Sequence, residues 1–226
     1  MNLKSEESNI LEGIKAIIFD LDGLLLDSES SWWKANEALL GKRGQEYTKE
    51  LSRKVIGAGH KETMQMYKNM FGFEDDIDSL ASERKKYMYE HLMKDMTFLD
   101  GGVELINELY SRGYPLAIAT GGHSVEKVNQ LLKGINLKDK FALIVSSEDL
   151  NRGKPHPDIY LHTASKLKIE PKLCLVFEDA VQGVMAGVAA GMRVIGVNKN
   201  EESRSGLRNA GAFLVEENLK DVLSKL

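Results

Sequence analysis

Asp20 and Asp22 stand two residues apart in Phe19-Asp20-Leu21-Asp22-Gly23, and a second acidic pair, Glu178-Asp179, follows Phe177 late in the chain. Between them come a threonine ahead of two glycines, Thr120-Gly121-Gly122, and a lysine framed by glycine and prolines, Gly153-Lys154-Pro155-His156-Pro157. Holding a carboxylate in an apolar setting is costly unless a cation meets it, so four clustered acids call for a metal ion and for Lys154. Hard carboxylate oxygens with no His or Cys among them favour Mg²⁺ over zinc. Carboxylates, an ammonium, a hydroxyl and a divalent cation are the working parts of phosphate chemistry. Glycines at 23, 121 and 122 suit loops that must approach a phosphate closely. Taken singly, each residue has an ordinary reading as turn cap, strand filler or solvated side chain. All of them at one edge of one sheet do not.

Such an edge is what the surrounding residues predict. Ile14–Phe19, Pro115–Ala119, Phe141–Val145, Leu173–Phe177 and Arg193–Val197 are short, nearly continuous apolar runs, the pattern of strands covered on both faces; Ala212–Val215 is a weaker sixth. Between them Val103/Ile106/Leu109/Tyr110, Val125/Val128/Leu131/Leu132, Tyr160/Ala164/Leu167 and Val181/Val184/Val188 recur at helical spacing. Strands alternating with helices make a parallel α/β sheet, and ligands of such sheets bind beyond the carboxyl ends of the strands, where the acids, Thr120 and Lys154 fall. Residues 28–96 break the alternation: they contain no proline and hold six of the nine methionines and eight of the sixteen aromatics, including Trp32 and Trp33. That contrast predicts a separate helical module, 28–96, inserted into an α/β domain made of 1–27 and 97–226.

With 226 residues, 42% hydrophobic and 28% charged, the chain is long and apolar enough for a sizeable core, which excludes a disordered or collagen-like protein. A net charge of −4 offers no attraction for a polyphosphate backbone, so no nucleic-acid partner is expected. Lone Cys174, among apolar neighbours, reads as a core thiol in a reducing compartment. The polar stretch Met1–Glu12 and the lack of any apolar run near about 18 residues point to a cytoplasmic protein with no membrane partner.

The motifs Asp20-Leu21-Asp22-Gly23, Thr120, Gly153-Lys154-Pro155-His156-Pro157-Asp158 and Phe177-Glu178-Asp179-Ala180-Val181-Gln182-Gly183-Val184, in this order over Ile17–Val197, resemble the four motifs of the haloacid dehalogenase-like superfamily. The helical insert and the Lys-Pro-x-Pro-Asp wording are similar to the β-phosphoglucomutase-like subgroup, in which the insert is a small cap. The resemblance implies a Rossmann-like parallel core and a Mg²⁺-dependent phosphatase acting on a small phosphomonoester, such as a sugar, polyol or nucleoside monophosphate. It makes Asp20 the nucleophile that becomes an aspartyl phosphate and Asp22 the general acid and base. It gives Mg²⁺ to Asp20, the backbone carbonyl of Asp22 and Asp179, with Glu178 beside them, and the phosphoryl oxygens to Lys154 and Thr120, aided by the backbone at Gly121.

Departures from the family pattern narrow the reading. Trp32 stands where the mutases of the subgroup carry histidine, and His60 where they carry a cap arginine; both argue against a phosphosugar mutase, the alternative enzyme. Having Asp22 argues against a dehalogenase, and against a non-catalytic phosphate-binding regulatory module, which needs no acid beside the nucleophile. Gly121-Gly122 replaces the Ser or Asn of many relatives, leaving backbone contact there. In the insert, Gly57-Ala58-Gly59-His60-Lys61-Glu62 is a candidate specificity loop, with His60 and Lys61 as substrate contacts. Met64, Met66 and Met70 are expected in the cap core, and Arg84-Lys85-Lys86 on a solvated helix face. The expected state is a monomer or weak dimer.

Overall fold

The computed structural model describes residues 9–55, 58–95, 97–150 and 152–226. The chain divides into two compact units, one formed up to Leu26 and from Phe98 onward, the other Asp27–Thr97.

The first unit is built on one sheet of β1 (Ala16–Phe19), β2 (Leu116–Thr120), β3 (Phe141–Ser146), β4 (Cys174–Glu178), β5 (Arg193–Val197) and β6 (Leu214–Glu216). Their order is β3-β2-β1-β4-β5-β6 and every neighbouring pair is parallel, so the expected α/β class with a Rossmann-like core holds. Every residue of β1, β2 and β4 is buried, which is why these strands read as unbroken apolar runs; edge strand β6 is half-buried throughout and its signal is correspondingly weak. On one face Ala16, Ile18, Ala117, Ala119, Cys174 and Val176 pack beneath Ile159, Tyr160 and Ala164 of α7 (Asp158–Leu167) and Val184 and Ala186 of α8 (Val181–Ala189). Alternation sends Ile17, Phe19, Leu175 and Phe177 to the other face, where Phe19 and Phe177, partners in register, stack with centroids 5.0 Å apart. Each fully buried Phe is worth about 1.5–3 kcal/mol, so the strand ends that carry the polar residues stand on a firm base.

Two helical faces differ from expectation. Val184 of the expected α8 stripe is buried, but Val181 and Val188 are exposed, and Gly183, Ala186 and Gly187 turn inward beside Val184 instead. At Gly187 the helix lies too close to the sheet for any side chain, since a Cβ there would come within 2.6 Å of Val194 Cγ2. In α5 (Gly102–Ser111) the buried stripe is Leu105, Ile106 and Leu109, with Tyr110 in solvent.

From β1 the chain moves outward through β2 to β3, then returns to β4 on the other side of β1. That reversal places a crevice at the carboxyl end of β1.

The second unit consists of α1 (Glu29–Gly41), α2 (Lys49–Val55), α3 (His60–Phe71) and α4 (Ile77–Asp95), with no strand among its described residues. Leu39, Leu40, Leu51, Val55, Met64, Tyr67 and Leu80 form its core, and Trp33 and Met66 pack against it. Met70 is exposed, so the methionine cluster is only partly core. Arg84 is also not the solvated residue expected: it is buried, with its guanidinium 4.7 Å from the Trp32 ring centroid. Arg43 holds Asp75 and Glu83 at 2.6 and 2.8 Å, tying the end of α1 to α4. No helix among the described residues is long and apolar enough to cross a membrane.

Candidate active site

Asp20 leaves β1 without breaking the ladder, its N–H donating to Phe177 O at 3.0 Å, and its side chain is buried. Leu21–Leu26 then close a tight loop in which Gly23 N–H donates to Leu26 O and the N–H groups of Leu25 and Leu26 donate to Leu21 O. Gly23 has φ +77°, and a Cβ there would lie 2.1 Å from Asp179 Oδ2. Conformation and space both demand glycine, and the close approach presses the loop after β1 against the end of β4.

β4 delivers Glu178 as its last residue, fully buried, followed by Asp179. Asp20, Glu178 and Asp179 each present an oxygen within 4.8 Å of the other two. Lys154, in the loop after β3, reaches into this trio: Nζ donates to Asp20 Oδ1, to Glu178 Oε1 at 2.6 Å and to Ala119 O at 3.3 Å. Glu178 Oε1 also accepts from Tyr160 Oη at 2.5 Å, and Oε2 accepts from the backbone N–H groups of Asp179 and Ala180. The neighbouring oxygen of Asp179, its backbone carbonyl, accepts from Asn198 Nδ2 at 3.1 Å. A Cβ at Gly183 would fall 1.8 Å from Glu178 Oε1, so α8 must carry glycine where it passes the acid.

The electrostatics follow from three acids around one ammonium. Burial raises the Asp20 carboxyl well above the usual carboxylate range; Lys154 pulls it back, and Glu178 and Asp179 push it up again. Burial, then Glu178, push Asp179 up to about 7 against the pull of Lys154. Burial works against the charge of Lys154, but the Asp20 and Glu178 carboxylates outweigh it and hold the ammonium well above its usual value. One positive charge therefore leaves negative charge unbalanced. An all-carboxylate donor set with that surplus fits Mg²⁺ in kind.

Thr120 ends β2, fully buried, and its Oγ1 accepts from Gly122 N–H at 3.3 Å. Gly121 O accepts from Ser147 Oγ at 3.2 Å. The Asp22 carboxylate is not in the trio: Oδ1 lies 2.8 Å from Nε2 of buried His123, and a Cβ at Gly122 would sit 2.9 Å from Oδ2. Asp20, Glu178, Asp179 and Lys154 are thus brought together, with Thr120 at the end of β2 and Gly121, Gly122 and Asp22 on the adjoining loops. His60 and Lys61 open α3 in the helical unit, where the His60 ring lies 4.7 Å from that of Trp32 and Lys61 is exposed and paired with Asp78 at 2.6 Å. Gly57 lies outside the described residues.

Sequence reasoning passes over His123 and takes Tyr160 only as part of an apolar stripe. The available signals are slight: a histidine directly after the Gly121-Gly122 pair, and a hydroxyl on a residue that is otherwise core.

Comparison with known proteins follows the same motifs. The model of the haloacid dehalogenase-like hydrolase family matches residues 17–197. A phosphorylated carbohydrates phosphatase of Thermotoga maritima is 29% identical over 203 residues, covering 88% of this chain and 92% of the relative. Hexitol phosphatase A of Escherichia coli is 32% identical over 193 residues, covering 81% and 83%. A crystal structure of a HAD family hydrolase from Deinococcus radiodurans, with bound phosphate and sodium, is 26% identical with a TM-score of 0.73 over 93% of both chains. A match running from β1 to β5, and so taking in Asp20, Asp22, Thr120, Lys154, Glu178 and Asp179, makes this chain a member of the haloacid dehalogenase-like hydrolases.

Proposed function

We propose that the protein is a Mg²⁺-dependent phosphatase, hydrolysing a small phosphomonoester through an aspartyl phosphate on Asp20. The observation that carries this reading is the Lys154 ammonium shared between Asp20 and Glu178 beside a trio of carboxylates whose charge it cannot balance alone. A sugar, polyol or nucleoside monophosphate is the substrate class, supported by relatives that include a phosphorylated carbohydrates phosphatase and a hexitol phosphatase.

In this mechanism Asp20 attacks phosphorus in line, and the P–O bond to the alcohol breaks as Asp22 gives its proton to the leaving oxygen. Water then attacks the phosphoryl group while Asp22 takes its proton, which frees Asp20 and inorganic phosphate. Lys154 and the Thr120 hydroxyl hold the phosphoryl oxygens, with backbone donors near Gly121 and Gly122. Asp20, the backbone carbonyl of Asp22, Asp179 and neighbouring Glu178 would hold Mg²⁺, which when bound supplies the charge that lets an anionic nucleophile meet an anionic ester. Residues 28–96 are assigned as the cap domain and 1–27 with 97–226 as the catalytic core, and His60 and Lys61 are assigned to substrate choice.

The test is phosphate release over a panel of sugar, polyol and nucleoside monophosphates with Mg²⁺, with product analysis on a hexose phosphate. Free phosphate is the expected product. Isomerised sugar phosphate in excess over free phosphate would overturn the hydrolase in favour of a mutase.

A further inference from the structure

Two features of the loop after β2 converge on the Asp22 carboxyl. His123, completely buried, sets Nε2 2.8 Å from Oδ1, while Gly122 leaves room for Oδ2 at a place where any Cβ would stand 2.9 Å away. Both partners are anchored. His123 lies between the end of β2 and Ser124, the N-cap of α6 (Val125–Gly134), whose hydroxyl accepts from Lys127 N–H. Asp22 lies in the closed loop after β1, bridged to Leu26.

We infer that Gly122-His123 is a seat for the Asp22 side chain, and that His123 is a positioning residue for its acid–base work. The inference rests on the phosphatase reading above. With its proton on Nε2, the ring donates to Oδ1 and fixes the orientation of the carboxyl that gives its proton to the ester oxygen and later accepts one from water. A carboxyl on a rotatable Cα–Cβ–Cγ stem otherwise samples several orientations, and misplacement of a catalytic group by about 1 Å can cost on the order of 10²-fold. The seat also accounts for glycine at 122: a side chain there would take the space of Oδ2.

The readout is leaving-group dependence. An alkyl phosphate needs its leaving oxygen protonated, whereas p-nitrophenyl phosphate expels a phenolate that needs no proton. His123→Met keeps the volume and removes the donor; His123→Gln keeps a donor near Nε2. For His123→Met, kcat/KM on glycerol phosphate is expected to fall at least about tenfold further than on p-nitrophenyl phosphate, within the usual size of general acid catalysis. His123→Gln should recover most of that difference. In an Asp22→Asn background His123→Met should add little further loss, since the group it positions is gone.

Equal losses on both esters, or losses that multiply in the Asp22→Asn background, would show His123 to be merely structural and overturn the inference while the phosphatase reading stands. Wild-type protein that releases phosphate from neither ester would overturn both. Melting curves accompany each variant, and if His123→Met is poorly folded, His123→Leu, which also removes the donor, takes its place with the same expected and overturning results.

Discussion

Tyr160 donates its hydroxyl to Glu178 Oε1 at 2.5 Å, the same oxygen that accepts from Lys154 at 2.6 Å. Burial, with the charge of Glu178, holds the phenol well above its usual pKa, so it remains a donor across the working pH range. The tyrosine therefore fixes one end of the carboxylate that the lysine also uses. Tyr160→Phe removes that donor from a fully buried acid and should cost about 1–3 kcal/mol, read from denaturant unfolding. Its loss should also lower phosphatase activity through a less well held Glu178 and Lys154. A variant as stable and as active as the parent would make the contact inconsequential.

Metal dependence follows from the surplus charge. Chelation with EDTA should remove nearly all phosphate release, and added Mg²⁺ should restore it. Asp179→Ala should weaken Mg²⁺ binding, measured by calorimetry, by more than it lowers the melting temperature. Full turnover in excess EDTA would sink the metal assignment.

Asp20→Asn separates catalysis from stability, because its two effects run in opposite directions. Without an anionic nucleophile no phosphoenzyme can form, and steady-state turnover should vanish. Burial disfavours the Asp20 charge, so the neutral isostere should be at least as stable as the parent in metal-free buffer at neutral pH. Retained turnover of the parent's order would remove Asp20 from the nucleophile's role.

The pH dependence of stability has a definite sign. Asp179 has a folded pKa of about 7 against the ordinary 3.8, so between these values the folded protein binds more protons than the unfolded chain. Stability from this group is therefore present at low pH and lost as pH rises toward and through about 7. In EDTA, the melting temperature of wild type relative to Asp179→Asn should decline from pH 5 to pH 8, and Mg²⁺ should shrink the decline by favouring the charged form. A difference that stays flat or grows with pH would contradict this account.

What could be read from sequence is what depends on near neighbours. Parallel strands buried on both faces need unbroken apolar residues, so Ala16–Phe19, Leu116–Thr120 and Cys174–Glu178 announce themselves, and with them the α/β class. The polar residues at strand ends, Asp20, Asp22, Thr120, Glu178 and Asp179, stand out against those runs for the same local reason. Only the tertiary structure decided which side chains meet. Lys154 and Asp20 are 134 residues apart and His123 and Asp22 are 101 apart, distances over which no helical or strand periodicity carries information. Their pairing comes from the strand order that sets β2 and β4 on either side of β1. The inward turn of Gly183 and Gly187 in α8 likewise depends on how closely the helix approaches the sheet, which side-chain hydrophobicity alone does not encode, and so of the three valines that draw an apolar stripe in the sequence only Val184 is buried, while Val181 and Val188 face outward.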